Sequence, residues 1–131
     1  MSDPPEGDSR TILLVEDEEI VREVIGDTLT ASGFRVVAVT DASEALECLS
    51  SDQDFCLVLT DHSLPGLNGS ELVHRIRVQH PALPVLVVSG YTLDPTLSAR
   101  GIPSLNKPFM PDELMARIRE LLPPSSQDSD E

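Results

Sequence analysis

The sequence predicts an α/β fold, a doubly wound (βα)5 parallel sheet, and three observations carry that expectation. Five short runs rich in Val, Leu and Ile punctuate the chain, and each is followed by a stretch with helical spacing of its apolar residues. Two of these runs, TILLV at 11–15 and PVLVV at 84–88, are nearly continuous in apolar residues, as strands buried on both faces must be. Aromatic residues make up only 3% of the chain and Trp is absent, so the core has to be aliphatic. Strands alternating with helices imply a parallel sheet covered on both faces and joined by right-handed crossovers.

Each element has its own local reason. The first strand, 11–15, leads into a helix over about 18–32 with Val21, Val24, Ile25 and Leu29 on its inner face. Gly33 stands where a left-handed residue ends that helix. The second strand is RVVAV, 35–39. Asp41 and Glu44 form a capping-box-like start to a helix whose stripe is Ala42, Ala45, Leu46 and Leu49. The third strand, LVLT at 57–60, ends at Asp61. After a Pro-Gly loop, Asn68 caps a helix with Leu72, Val73 and Ile76 inward, and His80-Pro81 ends it. The fourth strand, 84–88, precedes a short helical piece at about 95–100 that stops at Gly101. The stretch 102–106 reads as a weak fifth strand, and Pro103 marks it as an edge. Pro111 at the first helical position, with Asp112 and Glu113 in the first turn, opens a last helix carrying Leu114, Ile118, Leu121 and Leu122.

At 131 residues the chain fits one domain, placed here at 11–122 between solvated, flexible tails at 1–10 and 123–131. With 23 acidic against nine basic residues, the net charge of −14 repels nucleic acids and anionic membranes. No apolar run reaches the roughly 20 residues that span a bilayer, and the N-terminus shows no apolar leader segment, so a cytoplasmic setting is expected. Cys48 and Cys56 show no CxxC spacing and read as buried structural thiols. His62, His74 and His80 have no metal-ligand spacing with them.

In such a sheet, ligands bind outside the carboxyl ends of the strands. After the first strand come Glu16 and Asp17, after the third Asp61, after the fourth Ser89, and near the end of the fifth Lys107. At any single strand end a polar residue is ordinary loop composition; three acids, a hydroxyl and a lysine on one edge ask for a chemical reason. Clustered carboxylates repel, a hard divalent cation relieves the repulsion, and an oxygen-only donor set with room for water favours Mg²⁺. A carboxylate in that setting can attack phosphorus to give an acyl phosphate. The Lys107 ammonium would neutralise phosphoryl oxygens and the Ser89 hydroxyl would hydrogen-bond another.

At these residues the sequence resembles the receiver domains of bacterial two-component response regulators. The match covers about 11–122 and rests on LLVEDEE (13–19), LTDHSLPGLNG (59–69), VVSGY (87–91) and NKPF (106–109), in the family's order and strand-end positions. The resemblance implies a flavodoxin-like strand order 2-1-3-4-5. It implies Asp61 as phosphoacceptor, Glu16 and Asp17 as the acidic pair, and the main-chain carbonyl of Ser63 as a further metal ligand. It matches Ser89 to the family's hydroxyl position and Lys107 to its lysine, with a cis Lys107–Pro108 bond. The partners it implies are a histidine kinase or phosphotransfer protein and a downstream protein the sequence does not name, with the domain a monomer or weak dimer. The SGYT run at 89–92 is similar to receivers linked to hybrid sensor kinases.

Two departures stand out. Ser104 occupies a position that is often Tyr or Phe in relatives, and the stretch from Ser89 to Lys107 is about one helical turn short, which predicts a shortened fourth helix. Both bear on the face by which relatives pass on their signal. Two rival classes remain beside the phosphoryl-accepting, non-enzymatic module. An aspartate-nucleophile phosphatase usually places a second Asp two residues after the first, where this chain has Ser63. A pseudo-receiver usually loses the acceptor, the acidic pair or the lysine, and all are present here.

Overall fold

The computed structural model describes residues 11–51, 55–62, 69–89, 103–106 and 109–122. Its strands are β1 (Thr11–Val15), β2 (Arg35–Val39), β3 (Leu57–Asp61), β4 (Val85–Ser89) and β5 (Ser104–Asn106). Its helices are α1 (Glu19–Ala31), α2 (Ala42–Leu49), α3 (Gly69–Gln79) and α4 (Pro111–Leu121). All strand pairs are parallel, in the order β2-β1-β3-β4-β5. The strand order thus reverses between β1 and β3, which opens a crevice at their carboxyl ends. The tails, the short helix expected at 95–100 and the Asn68 cap lie outside the described residues.

Successive side chains of a strand point to opposite faces, and that period of two builds two separate cores. Leu13 and Val15 of β1 join Val58, Val85 and Val87 beneath α2 and α3, against Ala42, Ala45, Leu49, Leu72, Val73 and Ile76. Ile12 and Leu14 join Leu57, Leu59, Leu86 and Val88 beneath α1 and α4, against Ile25, Leu29, Leu114, Met115 and Ile118. β1, β3 and β4 are buried along their whole length, whereas β2 is exposed at Arg35 as an edge strand should be.

Local bonds fix the ends of the elements. Gly33 has φ of 100°, and a Schellman closure forms around it, with Phe34 N–H donating to the Leu29 carbonyl and Gly33 N–H to Thr30. Asp41 caps α2 by accepting from Glu44 N–H at 2.9 Å, while Glu44 reaches back one residue beyond the expected box, to Thr40 N–H at 2.8 Å. Glu113 accepts from Met110 N–H at 2.9 Å at the start of α4.

Several expectations are corrected. Val24 is 57% exposed, because it lies about 100° around α1 from Ile25 while Val21, Ile25 and Leu29 follow one another at four-residue steps. Met115 is buried and belongs on the inner stripe of α4, where Leu121 and Leu122 are only half-buried. β4 begins after Pro84 and takes in Ser89, and β5 begins after Pro103, since each proline contributes a carbonyl to the ladder but no N–H. Cys48 and Cys56 are half-buried rather than buried, are not joined in a disulfide, and pack against opposite cores.

Candidate metal centre

Glu16 follows the last residue of β1, and its N–H donates to the Val39 carbonyl at 3.1 Å, so its backbone still belongs to the sheet. Glu16 is 1% exposed, and its Oε2 accepts from Glu18 N–H at 3.2 Å, which fixes the orientation of the carboxylate. Arg22, one turn into α1, donates from Nη1 to the Glu16 carbonyl at 3.0 Å and ties the strand-to-helix loop to the helix. Asp61 is the last residue of β3, pairs with Val88 of β4 and is only 7% exposed. The ladder continues one residue further, His62 N–H donating to the Val88 carbonyl at 2.8 Å. Thr60, fully buried, donates its hydroxyl to the Asp61 carbonyl at 3.1 Å.

These two strand ends and the exposed Asp17 bring one carboxylate oxygen of each of Glu16, Asp17 and Asp61 within 4.8 Å of one another. Repulsion between two carboxylates at that spacing in a partly wet site is on the order of 3 kcal/mol. The donor set is all oxygen, two members are buried and held by the sheet, and the third faces solvent. That combination fits a small hard cation that keeps several waters, as Mg²⁺ does, and it lacks the His and Cys donors that zinc favours. Ser89, buried at the end of β4, stands one strand over from Asp61. Lys107, Ser63 and the Lys107–Pro108 bond lie outside the described residues. Arg22 and Thr60 are the contributors that sequence reasoning missed. Arg22 had one signal, four residues after Glu18 on the helix that follows the acidic pair; Thr60 had none beyond its strand.

The sequence matches the response regulator receiver domain family over residues 12–119. The chain belongs to that family. Among curated receivers it is 42% identical over 80 residues to the response regulator protein FleR of Pseudomonas aeruginosa, covering 61% of this chain and 17% of FleR. It is 37% identical over 127 residues to the response regulator MprA of Mycobacterium ulcerans, covering 92% of this chain and 53% of MprA. The chain therefore spans about half, or less, of the length of these relatives. A solved receiver-fold structure, response regulator protein TrrA of Thermotoga maritima in complex with Mg(2+)-BeF, superposes with a TM-score of 0.79 at 28% identity, covering 86% of this chain and 99% of that one. As a receiver domain, this protein is a module of two-component signalling, and its acidic cluster fits the Mg²⁺ site of such a domain. No described helix is long and apolar enough to cross a membrane.

Proposed function

We propose that this receiver takes a phosphoryl group on Asp61, from a histidine kinase or phosphotransfer protein, and that the modified form changes its affinity for a downstream protein. The observation that carries the reading is the convergence of the Glu16, Asp17 and Asp61 carboxylate oxygens within 4.8 Å at the carboxyl ends of β1 and β3. An Asp61 carboxylate oxygen attacks phosphorus in line with the leaving group. The new O–P bond forms as the donor's P–N bond breaks, and the donor nitrogen keeps the electron pair. Glu16, Asp17, Asp61 and the Ser63 carbonyl are the residues assigned to hold Mg²⁺. When bound, the ion offsets the negative charge that an acidic site and an incoming phosphoryl group would otherwise oppose to each other.

The remaining roles belong to the chain itself. Burial and the β3 ladder hold Asp61 at the strand end, so little orientation remains to be fixed when the donor arrives. The Ser89 hydroxyl and the Lys107 ammonium are assigned to the phosphoryl oxygens. The chain supplies no general acid two residues after Asp61, where Ser63 stands, so the acyl phosphate is a carried signal rather than a step in turnover.

The test is incubation with acetyl phosphate and Mg²⁺, read by intact mass. A labile gain of one phosphoryl group is expected for the wild type, lost with chelator and lost in Asp61→Asn. Equal labelling of Asp61→Asn would overturn the assignment of the acceptor. No labelling of the wild type would favour an interaction module that never takes phosphate, and rapid multiple turnover of the donor would favour a phosphatase.

A further inference from the structure

We propose that Arg117 is a positioning residue for phosphoryl transfer: it clamps edge strand β5, and through β5 it holds the Ser89 end of β4 and Asn106, the residue that precedes Lys107 in the sequence. The inference rests on the site roles assigned above to Ser89 and Lys107. β5 is only three residues long and is laddered on one side alone, to β4, in the register Val87 to Ser104, Val88 to Leu105 and Ser89 to Asn106. Such a strand has few bonds to keep it in place. In a parallel pair, alternate residues turn their N–H and C=O toward the partner strand. Val87 N–H donates to the Pro103 carbonyl at 3.1 Å, so the next carbonyl, that of Ser104, faces away from the ladder. Arg117 of α4 donates to that carbonyl from Nη2 at 3.0 Å across thirteen residues of chain.

A guanidinium donor makes a stronger bond than a neutral one, and this one sits in a partly buried position. The element that supplies it is itself anchored: the neighbouring Ile118 is fully buried, in the same layer as the half-buried Leu105 of β5. The competing contact is weak. Glu120 lies 3.9 Å from Nη1 in an exposed pair, a kind of interaction that contributes little. The clamp therefore acts on the strand. Ser104 is three residues before Lys107, and Asn106, paired with Ser89, immediately precedes it.

The experiment measures the phosphorylation rate of the full chain with acetyl phosphate, Mg²⁺ affinity, and backbone amide exchange at 104–106. Arg117→Ala should slow phosphorylation roughly tenfold, the scale of one lost charge-assisted hydrogen bond. Mg²⁺ affinity should be unchanged, because Glu16, Asp17 and Asp61 stand on β1 and β3. Arg117→Lys, which keeps a charged donor, should recover most of the rate. In a Lys107→Ala background the Arg117→Ala change should add little, since coupled residues are not additive. An unchanged rate in Arg117→Ala, or an equal slowing with and without Lys107, would overturn the proposal. If the wild type takes up no phosphoryl group, the proposed function fails instead. The clamp is then judged by amide exchange alone, where faster exchange at 104–106 in Arg117→Ala supports it and unchanged exchange sinks it.

Discussion

Asp17 and Asp61 carry the same charge in one cluster, yet substitution should affect them differently. Asp61 is buried at a strand end, and Asp17 is exposed in the loop before α1. Asp17→Ala removes a carboxylate proposed to hold the metal together with one source of repulsion, and it does so at an exposed position. It should therefore weaken Mg²⁺ binding while leaving the metal-free thermal midpoint unchanged or slightly raised. Calorimetry with and without Mg²⁺ reads both effects, and a loss of several kcal/mol in the metal-free fold would show that Asp17 is structural. The places of Glu16, Asp17, Asp61 and Ser89 at or just after strand ends were legible in the sequence, because strand ends can be read from apolar runs. Arg22 offered only its spacing from Glu18, and Arg117 offered nothing. Each donates to a main-chain carbonyl, and no residue type marks a carbonyl in advance.

Among the elements, α1 shows how closely a local rule can be read. Gly33 was assigned the left-handed position after the helix, and it adopts φ of 100° there, with Phe34 tucked back toward Leu29. A side chain in that conformation costs roughly 1–2 kcal/mol. Gly33→Ala should lower stability by about that amount, seen as a lower urea midpoint with an unchanged slope, and a neutral result would mean the helix end relaxes. The inner face of α1 was read less well. Val24 satisfied the spacing rule yet is mostly exposed, since apolar spacing defines a stripe wider than the part a neighbouring sheet covers. The strands show a similar limit. Both β4 and β5 begin one residue after a proline that still lends its carbonyl to the sheet, so the apolar run and the hydrogen-bonded strand differ in extent.

For the whole molecule, the two helical layers followed from the alternation of strand and helix, and the strand order from the resemblance to receiver domains; the structure carries both. Signal propagation across that framework depends on what can move. Ser104, half-buried at the start of β5, offers no ring to bury or release, and a ligand shifts an equilibrium only by its differential affinity for the two states. Beryllofluoride with Mg²⁺ should therefore shift amide resonances strongly at 61–66 and 89–94 and only modestly at 102–106. Large slow-exchange changes across 102–122 would show that a full switch operates without the aromatic side chain.

The two thiols acquire a meaning from the layered core. Cys48, on α2, packs against one core and Cys56, just before β3, against the other, so the sheet partitions them although only eight positions of chain separate them. In the unfolded chain that short separation makes them near neighbours, and closing so small a loop is easy. Folding thus segregates two groups that unfolding reunites. A disulfide formed between them in the unfolded chain would oppose that segregation, since each thiol packs against a different core once folded.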